Sequence, residues 1–371
     1  MNLKRQKMKY SKNDVFFVSS SCKLVKGAKR SIIIDYGRGD VQIIPNEYYD
    51  LVQDINRKKI TDVVAHIDET SKSSFFSFIE YILMNEFGFI TDEIEKFPEV
   101  STAFDDDHVK LKDAILEVDE TVFDAEDFSS LIFQINELHC NDLQIRISSK
   151  TNYAFIDQLL SIIDKASMLF VELYLKNEGE ITNDQWHHLL KTYAPLSHVH
   201  VYSAKVDKAV DYYIERATYF PIEIGKVSYH AMDFEKGCCG TISFDHLNFG
   251  DMATHNFHQN HNGCLFKKLT IDKKGNIKNC PKMTKAYGNF KENRIEDVIQ
   301  EKTYQALWNV KKDDIAICKD CEFRYNCSDC RAFTQDTDDE HSKPLRCGYN
   351  PYTNVWEDWS INPLKLLVTE H

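Results

Sequence analysis

The chain reads as an α/β protein in three parts: a winged-helix-like module over residues 1–95, a linker at 96–112 and a partial (β/α) barrel over 113–250, followed by a cysteine-rich domain over 251–371. Three observations carry this. Short strand-like runs around a basic turn precede three amphipathic helical stretches near the start. Strand-like runs then recur at intervals of about 25–30 residues with helical patterns between them, the mark of βαβ units and a parallel sheet. Seven of the eleven cysteines fall between Cys264 and Cys347.

In the first part, the runs at Cys22–Val25 and Ser31–Asp35 flank a basic turn, and Val41–Ile44 supplies a third strand before Pro45-Asn46 opens a helix. That helix carries Tyr48, Leu51, Val52 and Ile55 on one face. A second carries Ile60, Val63, Val64 and Ile67, and a third Phe75, Phe78, Ile79, Ile82 and Leu83. Gly88 is expected to end the third helix as a C-cap, with Phe89-Ile90 returning as a strand. A module of this order suits peptide capture, in which a leader peptide adds as a strand to an exposed sheet edge. Its third helix is aromatic and serine-rich, with no dense Lys/Arg stripe, and the net charge is −13. Both features exclude nucleic acid as the expected partner.

The barrel strands are expected at Ala114–Val118, Leu143–Ile147, Leu169–Leu175, His198–Tyr202 and Ile222–Ile224. The helices between them present Phe128, Leu131, Ile132, Ile135 and Leu138, then Ile156, Leu159, Leu160 and Ile163. About five units suffice for an open or partial barrel, not a closed eight-stranded one. Trp186, His187 and His188 lie on a helical pattern that turns the two histidines apart, so they read as surface. His198 and His200 alternate on a strand and share a face. With no third ligand in sight they read as hydrogen-bonded structural residues. Cys140 reads as a buried small hydrophobe, and Cys22 is given no role.

The last part changes character. Cys238-Cys239 is followed by a segment holding His255, His258, His261 and Cys264, rich in ligand types and poor in apolar residues. Leu269–Ile271 and Ile277 flank a turn with Gly275, which predicts a β-hairpin bracketed by Cys264 and Cys280. Asn293 and Glu296 are spaced as a capping box for a helix that buries Ile295, Val298, Ile299 and Leu307. The helix leads into Cys318-x2-Cys321-x5-Cys327-x2-Cys330 and, after a gap, Cys347. Two CxxC pairs with trailing partners are spaced as metal ligands are. Thiolate sites suit zinc or iron–sulfur clusters alike, so spacing leaves that choice open.

The pattern Cys264-x10-Gly275-x4-Cys280, then Cys318, Cys321, Cys327 and Cys330, then Cys347, resembles the SPASM domain found behind radical S-adenosylmethionine barrels. The run from Cys321 to Phe333 strengthens the likeness. The resemblance implies two [4Fe-4S] clusters. One would be held by Cys318, Cys321, Cys327 and Cys347, the other by Cys264, Cys280 and Cys330. The usual fourth ligand of the second is a cysteine at the position of His258, so this cluster is atypical: it takes His258, His261, Cys238 or Cys239, or is incomplete. The radical enzymes also need a CxxxCxxC triad after their first barrel strand. Here only Cys22 and Cys140 precede Cys238, which makes the middle a degenerate partial barrel without a site for S-adenosylmethionine. A SPASM end with this loss resembles the maturases of grasp-with-spasm systems, and implies an ATP-grasp ligase and a ribosomally made precursor peptide as partners.

The start of the chain lacks a signal-peptide pattern, and no apolar run is long enough to span a bilayer, so the expected compartment is the cytoplasm and no membrane partner is expected. Reduced thiols there favour metal ligation over a disulfide framework. Three readings remain open at the level of sequence: an iron–sulfur accessory protein of peptide maturation, an enzyme using a cluster for electron transfer or as a Lewis acid, and a zinc-stabilised binding module. No P-loop or dinucleotide-binding glycine motif is present, which assigns nucleotide use to a partner.

Overall fold

The chain begins with β1 (Val15–Val18), followed by β2 (Cys22–Lys26), β3 (Ser31–Asp35) and β4 (Asp40–Ile44), which pair antiparallel in that order. Helices α1 (Asn46–Ile55), α2 (Ile60–His66) and α3 (Lys72–Met84) come next, and β5 (Gly88–Thr91) returns to pair antiparallel with β1. This is a computed structural model, and it describes residues 10–98, 109–166, 168–176, 181–214, 220–234 and 241–358. Residues 99–108 of the expected linker, together with Cys238 and Cys239, lie outside them.

The central strand of the three-stranded sheet, β3, is buried on both faces. Ile32, Ile33 and Ile34 are each 0% exposed. Ile33 belongs to a core with Phe16, Ile55, Phe75, Phe78, Ile79 and Ile82, whereas Ile32 and Ile34 join Val25, Tyr36, Phe323 and Tyr349 in another. Three consecutive isoleucines are therefore explained by a strand with no solvent face.

One local expectation is corrected. The third helix ends at Met84, and the left-handed step after it is taken by Glu86 (φ 57°), not by Gly88. Gly88 is needed in β5 for another reason: a Cβ there would stand 2.5 Å from the Phe17 carbonyl oxygen. Close approach of two backbones excludes any side chain.

The second body of structure is a large, mostly parallel sheet. Strand β6 (Asp113–Val118), helix α4 (Ala125–Glu137), β7 (Asp142–Ile147), α5 (Tyr153–Ile163), β8 (Phe170–Lys176), α6 (Asn183–Thr192) and β9 (Leu196–Tyr202) follow one another as βα units. Then come β10 (Lys208–Ile214) and β11 (Ile222–His230). Helix α7 (Met252–Asn260) precedes the hairpin of β12 (Lys268–Ile271) and β13 (Ile277–Lys278), and α8 (Ile295–Gln300) follows it. The sheet order is β10-β11-β9-β8-β7-β6-β12-β13. All contacts are parallel from β11 through β12, while β10 and β13 add antiparallel edges. Because β6 to β9 advance in one direction, right-handed crossovers put α4, α5 and α6 on one face.

The expected strands are present, with β11 extending to His230. Strand β10, largely exposed along its length, carries no strong sequence signal. The hairpin forms as expected around Gly275 (φ 86°), where Asp272 accepts from the Lys274 and Asn276 amides. It also extends the sheet, since β12 lies parallel to β6. Tyr304, buried, clamps it by donating to the Lys268 and Lys278 carbonyls. The capping box is not formed. Arg294 is the N-cap residue, Asn293 instead accepts from the Asn289 amide, and the helix breaks at Glu301.

The chain divides into two compact units that are not consecutive in sequence. One comprises 1–104, 241–263 and 310–371, the other 105–240 and 264–309.

Candidate functional site

In the first unit the CxxC pairs are carried on short single turns, at Cys318–Asp320 and Arg324–Asn326, too brief to be stable alone. What holds them is packing. The Arg324 guanidinium donates to the Lys26 carbonyl (2.6 Å) and pairs with Asp313 (2.9 Å), and the Ala28 amide donates to the Asp320 carbonyl (2.8 Å). Arg30 pairs at 2.6 Å with the fully buried Glu322, which also accepts from the Tyr349 hydroxyl. The N-terminal sheet thus forms the floor of the cysteine-rich segment.

Above that floor, Cys318, Cys321, Cys327 and Cys347 lie close enough to act on one another electrostatically. Burial pushes the Cys318 thiol up to about 12, with Cys327 and Cys347 adding repulsion against the help of Lys312. Burial, then Glu322, raises Cys321 well above the ordinary thiol range, and Cys318 and Cys327 act in the same sense. Burial, then Cys327, raises Cys347. Four thiols gathered in such a place ionise together only with a compensating cation, and an all-sulfur donor set selects zinc or iron–sulfur clusters. The residues fit the group expected for them. The Phe323 amide already donates to Cys321 Sγ at 3.4 Å, the kind of contact that tunes a ligating sulfur.

Beside the thiols is a closed ionic network. Lys312 Nζ meets Asp329 Oδ1 at 2.7 Å, and Arg331 grips the same carboxylate at 2.7 and 2.8 Å. Asn262 donates to it at 2.7 Å, and Arg331 also reaches the Glu340 and Ser342 carbonyls. Opposing Lys312 and Arg331 charges hold the Asp329 carboxyl down at about 2 against the cost of burial.

Of the second predicted set, Cys330 is buried in the first unit, while Cys264 and Cys280 flank the hairpin of the second. His258, buried on α7, donates from Nδ1 to the Tyr325 carbonyl (3.0 Å). His261 is the C-cap residue of α7. The sequence marks His255 as one residue of a ligand-rich segment and assigns it no role of its own. Its Nδ1 is hydrogen-bonded to the Tyr36 hydroxyl (2.7 Å), which accepts from Asn326 (2.7 Å), and burial pushes His255 down to about 4. Cys22 is buried in the N-terminal core and Cys140, in the second unit, against the Lys112 and Asp142 carbonyls, and burial pushes their thiols up to about 11 and about 12.

Residues 263–322 match the family model of the SPASM domain, an iron–sulfur cluster-binding domain. The chain carries a SPASM domain. The matched stretch contains Cys264, Cys280, Cys318 and Cys321. No curated protein matches the chain. Solved structures that align with it include SuiB of Streptococcus suis bound to S-adenosylmethionine, at 9% identity over 89% of this chain and 99% of that one, with a TM-score of 0.29. SuiB alone aligns at 10% identity over 85% and 96%, TM-score 0.27. SuiB bound to its precursor peptide SuiA aligns at 9% over 86% and 96%, TM-score 0.26. Among the described residues, no helix is long and apolar enough to cross a membrane.

In the second unit, the sheet face opposite the helices is polar. Glu172 and His198 are register partners on β8 and β9, as are Tyr174 and His200. Both histidines are hydrogen-bonded as expected: His198 Nε2 to Ser228 Oγ at 2.8 Å, His200 Nδ1 to His230 Nε2 at 3.0 Å. The expectation that they lack a third ligand is corrected, because Glu172 stands with them. His187 contacts the Tyr213 carbonyl, and His188 is exposed.

Proposed function

We infer that this chain is an iron–sulfur accessory protein of ribosomal peptide maturation, acting with an ATP-grasp ligase on a precursor peptide. The observation that carries the reading is the SPASM match over residues 263–322, which holds Cys318 and Cys321, with Cys327 and Cys347 following it in the same unit. Those four residues would hold one [4Fe-4S] cluster. A second cluster is proposed from the sequence resemblance alone. When bound, such clusters supply one-electron transfer or a Lewis-acidic iron. The protein's own part is to exclude water, donate the Phe323 amide to sulfur and place the Lys312 charge nearby.

The peptide-binding part of the reading rests on the N-terminal sheet. Among the described residues strand β4 is an edge, paired with β3, and its Ile43 side chain is 57% exposed. An extended leader peptide adding to this edge would gain main-chain hydrogen bonds and an apolar contact. It would then lie on the sheet whose other strands floor the cysteine centre.

The test is iron, acid-labile sulfide and zinc content of protein purified without oxygen, with its absorption spectrum. About eight irons with matching sulfide per chain support two clusters, and about four support the Cys318 set alone. Zinc without sulfide overturns the redox part and leaves a metal-folded binding module. For the partner, the Ile43→Asp variant is expected to lose affinity for a precursor peptide encoded beside an ATP-grasp ligase while keeping its iron. Unchanged affinity refutes the β4 edge.

A further inference from the structure

The geometry points to a mononuclear metal site formed by Glu172, His198 and His200 on the polar face of the parallel sheet, taking one divalent transition-metal ion. A nitrogen of each ring and a carboxylate oxygen of Glu172 all lie within 4.8 Å of one another, so a single ion is within reach of all three. The residues come from two adjacent parallel strands. Glu172 sits opposite His198 in register, and His200 follows two residues on along the same face.

A cluster assembled only by chance would be loosely held, and this one is braced. The Tyr174 hydroxyl donates to Glu172 Oε2 at 3.0 Å. His198 is oriented by Ser228 and His200 by His230, both from β11. The His198 and His200 rings stack with centroids 3.9 Å apart, and Tyr174 stacks on His200 at 4.4 Å. Ligating histidines characteristically have one ring nitrogen fixed by such a partner while the other binds metal. All three candidate ligands are half-buried, which shields a bound ion and leaves it accessible.

The donor set selects the ion. Two imidazoles and one carboxylate suit zinc or iron(II) and offer no soft sulfur for copper(I). Three protein ligands leave coordination positions open, as in sites that bind water or substrate. Glu172 also lines a cavity of about 530 Å³ with Asp113, Ile115, Asp142, Gln144 and Phe170, so the cavity adjoins the site at Glu172. The site uses no cysteine, so it stands whether or not the cluster reading does.

Zinc is the probe. The full chain, with its iron–sulfur content restored and loose metal removed by chelator, is titrated with zinc in a calorimeter, and the zinc-loaded protein is measured by X-ray absorption at the zinc edge. The expected result is one equivalent of zinc with nitrogen and oxygen scatterers only. Glu172→Gln and His200→Ala should each weaken it about 100-fold or more, and Ser228→Ala about tenfold. Iron and sulfide content should not change in any variant. Glu172→Gln preserves shape and hydrogen-bonding capacity, so an unaltered circular dichroism melt shows that lost binding is not lost folding. Zinc that binds equally to wild type and to Glu172→Gln, or that shows sulfur scatterers alone, overturns the site. Should the cysteines prove to hold zinc, the site still predicts one more zinc in wild type than in Glu172→Gln, so the two readings fail separately.

Discussion

Replacing Phe323 by alanine should loosen two stretches far apart in sequence by the same amount. Phe323 lies between Cys321 and Cys327, is 3% exposed and shares a core with Ile32, Ile34, Val25 and Tyr349. Its ring meets Tyr349 edge-on at 5.2 Å and Phe249 at 6.4 Å. A buried aromatic of this kind removes about 150–250 Å² from water, worth about 4–6 kcal/mol at ~25 cal/mol per Å², an upper bound. Truncation leaves a cavity and keeps the methyl, so a loss of about 3–5 kcal/mol is expected. The assay is hydrogen exchange read by mass spectrometry on the iron-loaded full chain, following peptides over residues 31–35 and 318–330. Both should open together. In a double-mutant cycle, Ile34→Ala, in the same cluster, should couple to Phe323→Ala by about 0.5–3 kcal/mol, whereas Ile33→Ala, whose side chain faces the helices, should add within about 0.5 kcal/mol. Unchanged protection of β3 in Phe323→Ala, or additivity for Ile34, would refute the idea that the N-terminal sheet and the cysteine segment share one core.

Three other outcomes are expected. Asp329→Asn leaves Lys312 and Arg331 facing each other while buried, and should cost about 3–5 kcal/mol in an anaerobic melt; a loss below 1 kcal/mol would mean the network is dispensable. Tyr36→Phe removes the hydroxyl that joins His255 to Asn326, and should cost about 1–3 kcal/mol, with an unchanged melting temperature counting against the buried chain. Glu117 behaves in the opposite sense to a paired carboxylate. Burial raises it above its ordinary 4.5, only partly offset by Arg146. The folded state therefore holds the proton more tightly than the unfolded one, and stability falls as pH rises through that range. Glu117→Gln should stabilise the protein at neutral pH, and the gain should vanish below about pH 4.5; a gain that persists in acid would refute the burial argument.

Much of this was legible from local pattern. CxxC spacing is a chemical signature that survives without any structure, and Cys318, Cys321, Cys327 and Cys347 all fall in one unit, each buried or half-buried. Alternation such as Leu143, Ile145 and Ile147 against Gln144 and Arg146 exposes a half-polar strand directly. The Gly275 hairpin followed from turn chemistry confined to a few residues. The unbroken Ile32-Ile33-Ile34 run reads as a strand by local pattern, and its cover on both sides emerges only in the fold.

The sequence by itself determined which segments become strands and helices and which thiols are suited to metal, because these depend on neighbours a few residues away. Tertiary structure decided the partners. The chain leaves the cysteine unit after the N-terminal module and re-enters it at two later points, a closure no local pattern records. Glu172 meets His198 because of a single irregularity: Val171 pairs with Leu196 and Glu172 with His198, so Ser197 is passed over at a bulge. Without that extra residue the period of two would turn His198 and His200 to the helix-covered face, away from Glu172. Register between strands is fixed by the packing of whole faces, and a one-residue slip decides whether three ligand-type side chains converge or never meet.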